Sequence, residues 1–404
     1  MSLFNITCIL ITCALYFLVL LFRLFIKRDE SLIIVIGRDN GKLLDNCKYV
    51  LQGLNESNHK SFYYLTTNAD TAKIISNFGI KTHIQKKNLY TFIFLLRAGA
   101  IIVDSLDWSK GGWHLLYRGA KIIQLWHGIP LKEIELRKAN RWANEKNGII
   151  RVSAKLFWKI TDRFPKFYSL LATSDFSANL LSKCINTKEC WITGYPRNDV
   201  LLKDKISNFD YLNTDSEALL EIAKAKSKAH KTILFTPTFR DGFSNPLENN
   251  ALLLNRIDTL LKKNCVTLFI KLHPWITDIS TEIFNNIKII KSDSDIYPLL
   301  RDFDLLITDY SSIYFDFLLV DKPIVFFPHD LKSYKKDERS FMVDYDTFTP
   351  GKKAFSLPQL IKLSLITLKK DSERHKRVEL KKLMFKHLDE KSTQRLVSKI
   401  LSSK

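Results

Sequence analysis

Hydrophobic and polar positions alternate in blocks along the chain, and the blocks predict two successive series of short buried strands separated by helices. The first series has six apolar runs: Leu32–Ile36, Phe62–Leu65, Ala100–Val103, Lys121–Leu125, Leu170–Thr173 and Cys190–Thr193. Helical patterns, such as the one over Asp70–Phe78, lie between these runs. Strands that alternate with helices form βα units on a parallel sheet. We therefore predict a doubly wound α/β domain over residues 29–205.

A second series of apolar runs follows a polar, charged connection over residues 203–230. These five runs are Thr232–Phe235, Thr267–Lys271, Lys288–Ile290, Leu305–Ile307 and Ile324–Phe327. They predict a second Rossmann-like domain over residues 206–355. Residues 356–404 have the pattern of basic helices. The expected fold class is α/β, with two doubly wound domains.

The N-terminal segment has the pattern of a membrane anchor. Residues 3–22 are almost wholly apolar, and Arg23, Lys27 and Arg28 follow at once. A helix of roughly 20 apolar residues crosses a bilayer core of about 30 Å. Because positive charges stay on the cytoplasmic side, we expect residues 1–28 to form a single transmembrane helix, with both domains in the cytoplasm at the cell membrane. A cleaved signal peptide is disfavoured because no basic region precedes the run. A buried core helix is the alternative.

The net charge of +20 in 404 residues favours anionic partners. Phosphorylated substrates, anionic lipids and nucleic acid all qualify, and a lysine-rich composition without a special role is the alternative. The first domain carries a basic amphipathic insert over 132–168. Within it, Ile149, Val152 and Leu156 share one helical face with basic neighbours. That face fits either an anionic membrane or the domain's own core. No known nucleic-acid reading module is present, so we expect no nucleic-acid partner.

Side chains suited to proton transfer or phosphate binding follow several predicted strands. His127 comes just after the run that ends at Leu125, in a loop that also holds Gly128 and Lys132. The carboxyl ends of parallel strands line the ligand crevice of an α/β domain. A neutral imidazole there can take a proton from an attacking hydroxyl. The alternative is a structural histidine in a turn.

The second series repeats this arrangement. His273 follows the run that ends at Lys271, where it can donate to a phosphate oxygen, and Arg240 follows Thr238 with a guanidinium suited to phosphate. Arg197 and Arg339 are candidates of the same kind. A structural loop explains Arg197 equally well, and a solvated charge run explains Arg339 equally well.

The pattern over residues 305–327 predicts a strand, a polar turn, a helix and a second strand, with Ser311 and Ser312 at the start of the helix. Free backbone N–H groups at a helix N-terminus favour an anion, most often a phosphate. An ordinary capped helix is the alternative. The sequence has no Gly-rich Walker loop, no G-x-S-x-G elbow and no His/Cys/Asp set at metal spacing. We therefore expect neither a metal nor a cofactor.

Five motifs occur in an order that resembles the CDP-glycerol glycerophosphotransferase family, which includes the teichoic-acid primases and polymerases and their capsule-polymer relatives. They lie at 126–132, 194–199, 237–240, 271–274 and 308–316. The resemblance covers residues from about 120 to 350. It implies a GT-B-like fold in which the C-terminal domain holds the nucleotide donor. It also implies transfer of a polyol phosphate from a CDP-polyol, CDP-glycerol or CDP-ribitol, to a hydroxyl of a lipid-linked or polymer acceptor.

The resemblance also implies roles for single residues. The family's two motif histidines correspond to His127 and His273, which we expect to be catalytic. The expected donor-side residues are Thr238, Arg240, His273, Thr308, Asp309, Ser311, Ser312, Asp316 and Arg339, and other crevice residues are Gly128, Lys132 and Arg197. In this hypothesis His127 deprotonates the acceptor hydroxyl, the hydroxyl attacks the β-phosphorus, and CMP leaves. A GT-B sugar-nucleotide glycosyltransferase is one alternative, and a non-enzymatic binder of anionic lipid or nucleic acid is another.

Overall fold

The computed structural model describes residues 14, 16–19, 21–57, 59–238, 251–272, 284–331, 334 and 340–403. Contacts divide the chain into two compact units. The first unit takes the described residues of 1–127, 134–199 and 391–404, and the second takes those of 128–133 and 200–390. The last helix therefore packs with the first unit, a placement that the linear pattern did not indicate.

The first unit is built on a parallel sheet of seven strands in the order β3-β2-β1-β4-β5-β6-β7. The strands are β1 (Asp29–Ile36), β2 (Phe62–Thr66), β3 (Thr82–Ile84), β4 (Ala98–Val103), β5 (Lys121–Gln124), β6 (Phe167–Ala172) and β7 (Thr187–Ile192). The strand order reverses between β1 and β4. In a doubly wound sheet, ligands bind outside the carboxyl ends of the strands at this reversal.

The second unit has a parallel sheet of six strands in the order β10-β9-β8-β11-β12-β13. The strands are β8 (Lys231–Thr236), β9 (Val266–Lys271), β10 (Ile287–Ile290), β11 (Leu305–Thr308), β12 (Ile324–Phe326) and β13 (Lys352–Lys353). The order here reverses between β8 and β11. The predicted α/β class with two parallel sheets is confirmed.

Helices connect the strands in both units. In the first unit they are α1 (Arg38–Gly41), α2 (Asp45–Glu56), α3 (Ala69–Ser76), α4 (Leu89–Leu96), α5 (Glu135–Asn144), α6 (Gly148–Ile160), α7 (Asp175–Ser182) and α16 (Ser392–Ser402). Helix α8 (Asp199–Leu202) begins at the last residue of the first unit and continues into the second. In the second unit they are α9 (Ser216–Ser227), α10 (Ala251–Lys263), α11 (Tyr297–Leu300), α12 (Ile313–Phe317), α13 (Tyr345–Phe348), α14 (Leu357–Lys369) and α15 (Arg374–Met384). The 3₁₀ segments are Asp107–Tyr117, Pro196–Asn198 and Leu318–Val320.

Local sequence explains where several helices begin. The Asn68 side chain accepts from Thr71 N and starts α3, and Ser174 and Ser177 form a reciprocal capping box at α7. The interior strands are apolar on both faces, as in β1, where Ile33, Ile34 and Val35 are fully buried. Such runs are typical of a sheet covered by helices on both sides.

The expected membrane anchor over residues 1–28 lies in large part outside the described residues. Its described end contacts the first unit: the Phe22 ring packs edge-on to Phe92 with centroids 5.0 Å apart, and Arg23 donates to the Leu116 carbonyl at 3.3 Å. Within the part of the chain that the structure describes, there is no helix whose length and apolar character would let it cross a bilayer.

Candidate active site

Polar side chains gather at the carboxyl ends of β1, β4 and β5, where the first sheet reverses its strand order. Arg38 follows β1, Asp104 follows β4 and His127 follows β5. The strands themselves are apolar, so this edge is where a ligand meets chemistry-bearing groups. The predicted position of His127 after a strand is what the structure shows.

The hydrogen bonds of His127 define its protonation state. Its Nδ1 lies 2.8 Å from the main-chain carbonyl oxygen of Asp104. A carbonyl only accepts, so we assign the hydrogen to Nδ1, which donates. The Nε2 lone pair of the neutral ring is then left to accept a proton. This is the tautomer that a general base requires.

The peptide that precedes the His127 ring is held in an unusual conformation. Trp126 has φ of +54°, in the left-handed region that a bulky residue rarely adopts. Its N–H donates to Gln124 Oε1 at 3.0 Å, and its carbonyl oxygen accepts from Asn46 Nδ2 at 2.8 Å. Backbone strain of this kind persists only where surrounding contacts enforce it. The contacts from Gln124 and Asn46 therefore fix the direction in which His127 points.

A buried ion-pair network supports the same loop. Asp45 accepts from Arg197 NH1 at 2.7 and 2.9 Å and also from Arg38. Asn46 Oδ1 accepts from the Arg197 backbone N–H at 3.1 Å. The start of α2 thus joins the His127 loop to the loop that carries Arg197. Arg197 is only 1% exposed, so the expectation that its side chain lines an open crevice is wrong, because its guanidinium is ion-paired in the interior.

Burial sets the electrostatics of this edge. Burial, and after it the Arg38 guanidinium, lowers the pKa of His127 to about 4. Burial raises the pKa of Asp104 to about 7. Asp104 is fully buried, and the thiol of Cys47, a weak donor, adjoins its carboxylate. The imidazole is therefore neutral at pH 7, and Asp104 is poised between its neutral and charged forms.

A cavity of about 490 Å³ opens beside His127. The 3₁₀ segment after β4 contributes Asp107 and Ser109, and Glu135 and Arg163 come from elsewhere in the first unit. Small-molecule sites commonly occupy about 300–1,000 Å³. The cavity is therefore large enough for a substrate end group that reaches the imidazole.

In the second unit, Thr238, Thr308 and Asp309 lie together where the second sheet reverses its order. The Asp309 carboxylate accepts from the Thr238 N–H at 3.0 Å and from its hydroxyl. Thr308 Oγ1 donates to the Thr236 carbonyl at 3.1 Å. Thr308 is 0% and Asp309 2% exposed. These two residues therefore organise the loops, and the half-buried Thr238 is the one that can meet a ligand.

The predicted helix after the two serines is present but short. The five-residue helix α12 begins at Ile313, and Ser312 makes no side-chain cap hydrogen bond. A dipole grows with helix length, so this terminus attracts an anion less than the pattern suggested. Ser311 and Ser312 remain half-buried, so their hydroxyls can meet a ligand. Asp316 is 1% exposed and accepts from Tyr297 OH at 2.8 Å, so it does not line a crevice.

The remaining predicted residues divide into two groups. Arg240, His273 and Arg339 lie outside the described residues. Gly128 and Lys132 belong to the second unit. Gly128 has φ of +143°, which glycine adopts without strain. Lys132 forms an antiparallel bridge with Phe341, and its ammonium lies 5.6 Å from the Tyr334 ring centroid.

Sequence reasoning missed several residues at these edges. Arg38, Asp45, Asn46 and Asp104 build the network behind His127, and His329 follows β12 with its ring stacked on Phe327 at 4.7 Å. The signal existed for Arg38, Asp104 and His329, since each follows an apolar run as His127 does. Asp45 and Asn46 carry no such signal, because their role depends on a loop about 150 residues away.

Comparisons with known proteins agree with the motif pattern. The family model described as CDP-glycerol:poly(glycerophosphate) glycerophosphotransferase matches residues 17–402. The teichoic acid glycerol-phosphate primase of Bacillus subtilis (strain 168) is 27% identical over 375 residues, which cover 87% of this chain and 88% of that protein. The teichoic acid ribitol-phosphate polymerase TarL of Staphylococcus aureus (strain NCTC 8325 / PS 47) is 30% identical over 227 residues, 54% of this chain and 38% of that protein.

A solved structure shares the fold. The wall teichoic acid polymerase TagF aligns with a TM-score of 0.69 and 22% identity over 93% of this chain and 89% of that chain. The family match spans nearly the whole chain and confirms the resemblance drawn from the five motifs. The protein is a transferase, and it belongs to the CDP-glycerol:poly(glycerophosphate) glycerophosphotransferase family.

Proposed function

We propose that this protein transfers a polyol phosphate, glycerol phosphate first among the candidates, from a CDP-activated donor to a hydroxyl of a lipid-linked or polymer acceptor in cell-wall or capsule polymer synthesis. The observation that carries the proposal is the neutral His127 imidazole, with Nε2 left to accept a proton beside a substrate-sized cavity. Family membership and the primase relative support glycerol phosphate, and the TarL relative keeps ribitol phosphate open.

In this mechanism the acceptor O–H gives its proton to His127 Nε2. The acceptor oxygen forms a bond to the β-phosphorus of the CDP-polyol. The bond between that phosphorus and the bridging oxygen breaks, and CMP leaves with the electron pair on its phosphate. On the donor side, the half-buried hydroxyls of Thr238, Ser311 and Ser312 supply hydrogen bonds to phosphate oxygens, and charge stabilisation of this kind provides most of the rate in phosphoryl transfer.

Purified protein incubated with CDP-glycerol, CDP-ribitol and a UDP-sugar tests this proposal. Mass spectrometry of the acceptor and of the released nucleotide identifies the transferred group. We expect acceptor mass to rise by one or more polyol phosphate units, with CMP as the released nucleotide. Transfer of a sugar with release of a nucleoside diphosphate would support the glycosyltransferase alternative and contradict the proposal.

We also propose that the protein works at the cytoplasmic face of the cell membrane, with residues 1–28 as its anchor and α6 in contact with lipid. Helix α6 has no buried residue. Ile149 is 80%, Val152 64% and Leu156 51% exposed, so this apolar face does not pack on its own domain. Arg151 and Lys155 lie beside the face, as in helices that rest on anionic lipid.

Hydrogen exchange of the full chain tests the lipid contact separately from any anchor. Vesicles of phosphatidylglycerol should slow exchange of the amides over 149–156 and leave the exposed start of α10, around Leu252, unchanged. Equal exchange of 149–156 with and without vesicles would contradict the contact. Extraction of membranes with alkaline carbonate tests the anchor, because a transmembrane helix stays in the pellet.

A further inference from the structure

The cavity beside His127 is lined by acidic, basic and hydroxyl groups. Its lining holds one guanidinium, Arg163, together with the carboxylates of Asp107 and Glu135 and the hydroxyl of Ser109. Arg163 is exposed, its guanidinium lies 5.1 Å from the Phe164 ring centroid, and within the described residues it forms no ion pair. A ligand with hydroxyl groups to donate to the two carboxylates and one negative charge to pair with the guanidinium would satisfy all of these groups.

We propose that this cavity binds the terminal polyol phosphate unit of the acceptor, with Arg163 on the phosphodiester and the reacting hydroxyl at His127 Nε2. The inference rests on the proposed function and names the part of the acceptor that the site recognises. A guanidinium binds the paired oxygens of a phosphodiester with two parallel hydrogen bonds. Carboxylates such as Asp107 and Glu135 accept hydrogen bonds from polyol hydroxyls.

This assignment makes Arg163 a specificity-determining residue. An acceptor whose terminal polyol is joined through a phosphodiester gains the Arg163 contact, and an uncharged acceptor of the same shape does not. A site built for a polar group discriminates strongly against an analogue that lacks it, because its own polar groups then lose their partner. The enzyme should therefore prefer an acceptor end that already carries polyol phosphate.

Two soluble acceptors separate the contributions without a membrane. Both present a glycerol joined to a short alkyl chain, one through a phosphodiester and the other through an uncharged methylphosphonate diester. The variants are Arg163→Gln and, as a matched control, Lys166→Gln. Lys166 is exposed, lies three residues away and does not line the cavity. The full-length protein is assayed with CDP-glycerol as the donor.

We expect the wild type to prefer the phosphodiester acceptor in kcat/KM by roughly 10- to 100-fold, the usual range for a charge-assisted hydrogen bond. Arg163→Gln should abolish most of this preference by raising the KM of the charged acceptor, and Lys166→Gln should keep it. If Arg163→Gln still prefers the charged acceptor, or if its kcat/KM falls equally with both acceptors, the assignment is wrong.

Binding without donor distinguishes this inference from the proposed function. Phosphorus NMR line broadening of the phosphodiester acceptor should appear with the wild type and with Lys166→Gln and disappear with Arg163→Gln. Binding that depends on Arg163, without any transfer from a CDP-polyol, would refute the proposed function and keep the acceptor site. Transfer from a CDP-polyol, together with acceptor binding that does not depend on Arg163, would support the proposed function and refute the acceptor site.

Discussion

The Nδ1 atom of His127 donates to the main-chain carbonyl of Asp104 over 2.8 Å, and this single contact assigns the roles of the two ring nitrogens. It places the hydrogen on Nδ1 and leaves Nε2 as the acceptor. A backbone carbonyl keeps this role at every pH, unlike a carboxylate. The tautomer therefore does not depend on the charge of the Asp104 side chain.

Replacing His127 with alanine should lower kcat by roughly 10²- to 10⁴-fold, the usual contribution of a positioned general base. The donor KM should change little, because no contact to the nucleotide is lost. Steady-state kinetics with CDP-glycerol measures both constants. His375→Ala is the control, since His375 is exposed on α15. A His127→Ala variant with near wild-type kcat would remove the base from the mechanism.

The low pKa of His127 predicts the acidic limb of the pH profile. A base works in its unprotonated form, so activity requires a pH above its pKa, which burial and Arg38 lower to about 4. The limb due to His127 should therefore fall near pH 4, and NMR titration should show a neutral ring at pH 6. A His127 resonance that titrates with a midpoint near 6.5 would contradict the buried, uncharged state described here.

Asp104→Asn should change how stability depends on pH. Burial raises the pKa of this carboxyl from 3.8 to about 7. Its neutral form therefore contributes stability that is fully present below pH 4 and is lost as pH rises through 7. Asparagine does not ionise, so the variant should gain stability relative to the wild type between pH 4 and 8, by at most about 4 kcal/mol. Chemical denaturation at pH 5 and pH 8 measures the free energy of unfolding of the variant relative to the wild type. Equal differences between the two proteins at both pH values would contradict the raised pKa of Asp104.

Asn46→Ala should reduce turnover without weakening substrate binding. The substitution leaves the Trp126 carbonyl and the Arg197 N–H without their side-chain partner. We expect kcat to fall roughly 10- to 100-fold through misplacement of His127, with KM nearly unchanged. Gln52→Ala on the same helix is the control, because its side-chain hydrogen bond, within the part of the chain that the structure describes, is to Glu56 at the surface. A purely structural role for Asn46 would instead lower the free energy of unfolding and leave kcat of the folded enzyme intact.

The fold followed from the sequence because buried parallel strands are apolar on both faces. All eleven apolar runs became strands, from Leu32–Ile36 to Ile324–Phe327. The short strands Thr82–Ile84 and Lys352–Lys353 were missed. Both lie at sheet edges, where pairing needs few residues and polar side chains are tolerated.

The site was only partly predictable. His127 stood out because a histidine after an apolar run marks the crevice of an α/β sheet. Arg197 was placed in the crevice because its motif follows a strand, but a distant partner, Asp45, draws its guanidinium into the interior. Asp316 and Thr308 were named through the motif pattern, which carries no information on burial. Periodicity reports which strands form and not which side chains find partners far along the chain.

Transfer of an intact polyol phosphate with His127 as the base carries both the β-phosphorus and the polyol carbons of the donor into the acceptor. The most direct measurement uses CDP-glycerol labelled with ³²P at the β-phosphate and ¹⁴C in the glycerol, with wild type and His127→Ala compared in one assay. Both labels should enter the wild-type acceptor in equal amounts, with one CMP released per unit added, and His127→Ala should add at least 100-fold less in the same time. Incorporation of ¹⁴C without ³²P into the acceptor, or equal transfer by wild type and His127→Ala, would contradict this mechanism.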